Sequence, residues 1–182
     1  MSCDYTIRPE RPEDAEAISK VHGLAFGPDE PIALLVKRLR TLRAPYPTLS
    51  FVACADSGGL LGHVMLSHSW LDAPKRLVDV FVLSPLGVMP KAQGQGIGTA
   101  LVAHAIAEAK QTPAPILFLE GDPAFYATRG FEPSKPCGIR APSLRIPEPA
   151  LQMVRLPSYD PQMRGSLVYR DLWWEMDCVG LR

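Results

Sequence analysis

Residues Leu86 to Leu101 read L-G-V-M-P-K-A-Q-G-Q-G-I-G-T-A-L, and the fold turns on them. A short apolar strand runs into a glycine cluster, which opens directly into an apolar-periodic helix. Val80, Val82, Leu86 and Val88 favour β structure, and Pro90 stops any hydrogen-bonded ladder. Gly94, Gly96 and Gly98 let the backbone turn tightly and approach a ligand closely. Ile97, Leu101, Ala105 and Ala109 then recur at helical spacing, so the glycines sit at a helix N-terminus. Unpaired backbone N–H groups there, backed by the positive end of the helix dipole, make an anion site suited to phosphates. Between Gln93 and His104 no side chain is charged, so the backbone carries this task.

Two common phosphate loops do not fit. A P-loop needs Lys followed by Ser or Thr after its last glycine, and here Ile97 and Gly98 follow Gly96. A dinucleotide fingerprint G-x-G-x-x-G, counted from Gly94 and Gly96, would need a glycine where Thr99 stands, and the loop lies in mid-chain. Gln93-x-x-Gly96-x-Gly98 after Leu-Gly-Val-x-Pro resembles motif A of the GCN5-related N-acetyltransferases, whose loop binds the diphosphate of coenzyme A. A second motif of that family is Tyr followed four residues later by Gly-Phe, matched by Tyr126 and Gly130-Phe131. The G-D-P-x-F-Y form, with Pro85-Leu86-Gly87-Val88 upstream, is most similar to bacterial acetyltransferases whose function is inferred from sequence. The resemblance covers Tyr5 to Phe131. One departure is that many relatives carry a cofactor-contacting Asn before the short helix, where this chain reads Leu119-Glu120-Gly121-Asp122.

The rest of the chain frames this centre. Its 182 residues are 47% apolar, which predicts one domain over 1–182, with a motif-bearing core at 5–131 and a C-terminal loop and strands at 132–182. Zero formal charge announces neither nucleic acid nor an anionic membrane as partner. Cys3, Cys54, Cys137 and Cys178 are far apart with no C-x-x-C pair, so neither zinc nor a dense disulfide framework is expected. Reduced thiols in a cytoplasm are the plain reading, with no signal peptide and no apolar run near the roughly 18 residues that span a bilayer.

In order, Tyr5 to Arg8 reads as a strand. Pro12-Glu13-Asp14 opens a helix with Ala15, Ile18, His22 and Ala25 on one face, ending near Gly27. A second helix from Pro31 buries Ile32, Leu35, Val36, Leu39 and Leu42 and turns Lys37, Arg38, Arg40 and Arg43 outward. Phe51 to Ala55 and Leu60 to Leu66 form a hairpin around Asp56-Ser57-Gly58-Gly59. A loop, Leu71 to Arg76, leads to the long strand Leu77 to Val88. The helix after Gly96 crosses over to a parallel strand, Ile116 to Glu120. Asp122 caps a short helix that Gly130 stops, and Phe131 begins a strand. Pro133 to Pro149 is a long irregular segment, Leu151 to Leu156 and Gly165 to Tyr169 are strands, and Leu172-Trp173-Trp174 anchors the end by packing.

The elements describe a mixed α/β three-layer domain. The resemblance implies a mixed, mostly antiparallel sheet of about seven strands, splayed around an acetyl-CoA site and flanked by about four helices. It further implies backbone contacts to pantetheine from Leu86, Gly87 and Val88, and to the diphosphate from Gln93, Gly94, Gln95, Gly96, Ile97, Gly98 and Thr99. Acetyl-CoA would be the co-substrate, with no metal, and transfer would be direct, to a primary amine of a small molecule or peptide. Tyr126, near the thioester, is the natural acid for the leaving thiolate, because a phenol is still protonated at neutral pH. The base is open. Asp79 is the only acid on the long strand and shares a face with Phe81 and Leu83, Glu120 ends the next strand, and a water chain would also serve. A domain that holds acyl-CoA without turning it over is the alternative. The resemblance implies an acceptor site built by the first two helices and the late loops, here Gly27 to Ala33, Leu71 to Arg76 and Pro133 to Pro149. A homodimer through the C-terminal strands is compatible with this reading. His22, His63, His68 and His104 do not cluster at metal spacing, and no G-x-S-x-G elbow accompanies Ser67 or Ser69.

Overall fold

The computed structural model describes residues 4–180, so Cys3 lies outside it. Its strands are β1 (Tyr5–Pro9), β2 (Leu49–Ala55), β3 (Leu60–Ala73), β4 (Arg76–Val88), β5 (Ile116–Glu120), β6 (Glu132–Pro133), β7 (Ile139–Arg140), β8 (Leu151–Arg155) and β9 (Gly165–Val168). The helices are α1 (Ala15–Phe26), α2 (Ile32–Leu39), α3 (Ile97–Ala109), α4 (Pro123–Tyr126) and α5 (Asp171–Glu175).

Two long antiparallel strands, β3 and β4, form the spine, because both are rich in β-branched and apolar residues over more than ten positions. Around them the sheet runs β1-β2-β3-β4-β5-β8-β6, while β9 extends the β2 edge of β3 and pairs with β7. Among the described residues only β4–β5 and β7–β9 are parallel, the first as the helical crossover between β4 and β5 requires. Among the described residues there are nine strands where about seven were expected. The strand expected to begin at Phe131 is the two-residue β6, and β7, inside the segment expected to be irregular, is also two residues long, too few for a period-two pattern to register in sequence. The packing anchor Leu172-Trp173-Trp174 lies on a fifth helix, the short α5, where about four helices were expected.

The expected loop from Leu71 to Arg76 is instead the end of the β3–β4 hairpin. Pairing continues to Ala73↔Arg76, leaving only Pro74 and Lys75 in the turn. Asp72 and Pro74 look like loop residues, but Asp72 points outward on a strand and Pro74 presets the turn, while Leu71 is fully buried.

Alternation along β4 divides the core into two layers. Val80 and Val82 pack toward α1 and α2 with Ile18, Leu35, Leu39 and Phe118. Phe81 and Leu83 pack toward α3 with Leu66, Leu101, Ala105 and Leu117. Each such large side chain contributes about 1.5–3 kcal/mol of burial. Trp173 belongs to the first layer and Trp174 stays largely exposed, the core-and-edge packing expected for the pair.

Arg40 departs from the outward face expected of it. One residue past α2, it swings toward β1 and pairs through Nε with Glu10 Oε1 at 2.5 Å. The Ser50 hydroxyl donates to Glu10 and contacts His63 Nε2 (2.8 Å), and His63 Nδ1 lies 2.7 Å from His22 Nε2. Burial drives His22 down to about 3, so this inner pair is held neutral beneath the sheet.

Candidate active site

The parallel pairing of β4 and β5 is confined to Phe81↔Leu117 and Val82↔Phe118. Beyond it β4 carries a bulge, because Val64 pairs Leu86 and Leu66 pairs Leu83, leaving Ser84 and Pro85 opposite Met65. Bulges bend a strand, and a proline there removes no ladder donor that is needed. Among the described residues, no strand pairs with this side of β4 after Val82. Leu86 and Val88 therefore turn toward a gap on that side.

At the end of that arm the Met89 N–H donates to Leu61 O (2.8 Å) and a 3-10 turn, Pro90–Ala92, redirects the chain. Gln93 Nε2 donates to Val88 O (3.1 Å), tying loop to strand. Gly96 caps α3 at φ 81°, a left-handed conformation that costs a side-chain-bearing residue roughly 1–2 kcal/mol. The first hydrogen bond of the helix runs from Ala100 N to Gly96 O (3.0 Å), so the N–H groups of Ile97, Gly98 and Thr99 precede it without helical partners. A Cβ built on Gly94 or Gly96 would meet nothing within 4 Å.

The space above is a cleft of about 580 Å³, within the usual range for cofactor sites. Of the expected contacts, Leu86, Val88, Gln93, Gly94, Gly96, Ile97, Gly98 and Thr99 line it. Gly87 turns the other way, where a Cβ would come within 2.7 Å of His22 Nδ1, and Gln95 is occupied with Lys91 O (3.2 Å).

The cleft has further walls that sequence reading did not assign: Phe26, Phe125 and Arg129. Arg129 holds Thr99 Oγ1 through Nε (2.9 Å) and Nη2 (2.6 Å), with its guanidinium 3.5 Å above the Phe125 ring. A cation at a helix N-terminus opposes the dipole, and the arrangement becomes favourable when an anion joins them. The signal for Arg129 was its place on the short helix turn that faces the glycine loop, immediately before Gly130.

Tyr126 is on α4, whose cap is the Asp122 carboxylate accepting from Ala124 N (2.9 Å). Its ring lies on Gly121, where a Cβ would come within 2.3 Å of Cε2, and meets Phe125 and Phe131 edge-on at 4.8 and 5.6 Å. Burial pushes its phenol up to about 12, so it stays protonated. Tyr126 does not itself line the cleft, whereas its neighbour Phe125 does.

Asp79 is not brought to this place. It lies before the β4–β5 pairs, on their closed side, and binds His68 Nε2 at 2.7 Å, with Arg170 Nη1 3.3 Å from the other ring nitrogen. Glu120 is at the split itself, on the arm opposite Ser84. Of the segments expected to build the acceptor side, only Gly27 to Ala33 reaches Glu120, through Glu30 and Ile32. The Pro74 turn and most of Pro133 to Pro149 line separate hollows, although Arg145 braces the C-terminal segment by pairing with Asp177.

Comparison with known proteins agrees with this geometry. The Acetyltransferase (GNAT) family pattern matches residues 16–131. The protein named uncharacterized N-acetyltransferase YhbS, of Escherichia coli strain K12, is 32% identical over 126 residues, 69% of this chain and 72% of that one. YjhQ of the same strain, named likewise, is 28% identical over 129 residues, 71% and 70% of the two chains. Among solved structures, YhbS of Escherichia coli in complex with CoA superposes with a TM-score of 0.80 at 27% identity, covering 95% of this chain and 93% of that one. A GNAT family acetyltransferase of Brucella melitensis in complex with acetyl-CoA gives 0.73 at 27% identity, over 94% and 99%. The match runs from α1 to Phe131, the residue before β6, and the chain belongs to the acetyltransferase (GNAT) family and is an acetyltransferase enzyme.

Proposed function

We propose that this chain transfers the acetyl group of acetyl-CoA directly to a primary amine, both substrates being bound at once. The observation that carries the reading is one cleft that runs from the orphan N–H groups of α3 and Arg129 to the β4 residues Leu86 and Val88, with the strand split opening beside it across Phe26. The open space over Gly94 and Gly96 fits a diphosphate, and the structures of similar proteins with CoA and acetyl-CoA support the same ligand here.

In this reading Ile97, Gly98 and Thr99 donate to the diphosphate from the backbone, and Arg129 adds a charged donor. Leu86 and Val88 offer backbone groups to the amides of pantetheine, as a sheet edge does to an added strand. Acetyl-CoA, when bound, supplies an activated thioester. Tyr126 holds a proton for the departing thiolate, whose ordinary pKa is about 8.5. The amine must lose a proton first, since at pH 7 roughly one alkyl ammonium in 2,500 is neutral, a penalty of about 4.6 kcal/mol. Thiols at Cys54 and Cys137 suit a reducing cytoplasm, where we place the reaction.

Arg129 gives a direct test. Arg129→Gln should weaken CoA binding by about 10-fold or more, since a hydrogen bond to a charged group contributes about 1.5–3 kcal/mol, while kcat at saturating acetyl-CoA holds. Calorimetric titration with CoA checks this, and an unchanged Kd would remove Arg129 from the phosphate site.

A further inference from the structure

Next to the CoA cleft, and sharing its Phe26 wall, is a smaller pocket of about 180 Å³ at the strand split. Its arms are Ser84 of β4 and Glu120 of β5, and Tyr169 and Trp173 close it from the C-terminal side. Glu120 is mostly buried, and its Oε2 accepts the Gly180 N–H at 3.0 Å. The Tyr169 hydroxyl faces the carboxylate and offsets part of the effect of burial on it, and the buried Trp173 Nε1–H has no partner among the described residues. Glu30 adds a second acid at the rim.

Three features specify an occupant. Burying a carboxylate is costly unless a cation or donors satisfy it, and burial here raises the Glu120 pKa, a shift that suits a proton acceptor. Aromatic walls favour a cation or a flat apolar body. The volume is close to that of an engineered cavity of about 150 Å³ that holds benzene, so the body has about the bulk of one ring.

We propose that the acetyl acceptor is a compact primary alkylamine or aralkylamine, bound in this pocket with its ammonium on Glu120, which also takes its proton. This rests on the acetyl-transfer reading above and adds the substrate class and the base. The ammonium gives one proton to Glu120, and the freed lone pair forms the C–N bond as the thioester C–S bond breaks. The second proton lost from nitrogen balances the one taken up by the thiolate, and Glu120 returns its own to water. Peptide or protein amines, with a larger neighbourhood to accommodate, fit a pocket of this size poorly.

The test uses 2-phenylethylamine, isoamylamine and a lysine-containing peptide, with thiol release from acetyl-CoA and calorimetric binding of 2-phenylethylamine to the CoA-saturated protein. The compact amines should be turned over with kcat/KM at least about 10-fold above the peptide. Glu120→Gln keeps the shape and an acceptor for Gly180 N–H. It should lose 2-phenylethylamine binding and about 10²–10⁴ in kcat/KM for it, the range of general base help, while CoA affinity stays at the wild-type value. Phe26→Trp, which narrows the pocket, should penalise 2-phenylethylamine more than isoamylamine. Undiminished binding and turnover in a CoA-binding Glu120→Gln protein would overturn the proposal, as would an unchanged preference in Phe26→Trp. Wild-type protein that binds CoA and acetylates only the peptide, or no amine at all, would overturn it too. A wild-type chain that fails to bind CoA would bring down the acetyl-transfer reading itself, and this inference with it.

Discussion

A Gly96→Trp protein should fold and no longer bind coenzyme A. The space beside Gly96 is open, so an indole meets no protein atom at its base and projects into the volume the diphosphate needs. The left-handed φ of 81° adds a strain of roughly 1–2 kcal/mol, tolerable in a domain whose stability is about 5–15 kcal/mol. In the wild-type protein, CoA at 100 times its Kd adds about 2.7 kcal/mol to stability, a rise in melting temperature of roughly 5–10 °C for a chain of this size. The variant should show none of this rise. A melting curve with and without CoA decides the matter, and a wild-type rise in folded Gly96→Trp would refute the loop assignment.

Tyr126→Phe should lower kcat by about 10²–10⁴, the usual worth of general acid help. Phe keeps the ring on Gly121 and between Phe125 and Phe131, so stability and CoA affinity should hardly move. Because burial holds the phenol at about 12, a rise in pH to about 10 leaves the acid loaded, and the wild-type rate should show no alkaline loss from this group. The deficit of the variant should shrink toward alkaline pH, where the thiolate departs without protonation. A kcat within twofold of wild type on a good acceptor would return Tyr126 to a packing role.

The glycine loop, α3 and the parallel β5 were legible because their signals are local: turn-forming glycines, a 3.6-residue period and a crossover that topology demands. The short Tyr126 helix was legible for the same reason, with Asp122 and Gly130 marking its ends. What was hidden depends on pairs distant in the chain. Arg129 and Thr99 are 30 residues apart, and only the fold sets the guanidinium over the α3 N-terminus. Asp79 was the natural candidate by residue type, yet β4 places it on the closed side of the split with His68. Glu120 could be named as an acid at a strand end, but the walls that make it a pocket come from Phe26 on one side and from Tyr169 and Trp173, over a hundred positions later in the chain, on the other. Leu71 to Arg76 misled because loop-forming residue types, Asp72 and Pro74, sit where a strand end and a tight turn can carry them.

The most direct test of acetyl transfer in a ternary complex is a single-turnover experiment with carbon-labelled acetyl-CoA and a compact amine, followed by mass spectrometry of both protein and small molecules. Direct transfer predicts labelled N-acetylamine appearing together with free CoA, while the mass of the protein never changes. An acetylated protein that forms before the product, or a bound acetyl-CoA that persists unchanged beside every amine, would contradict it.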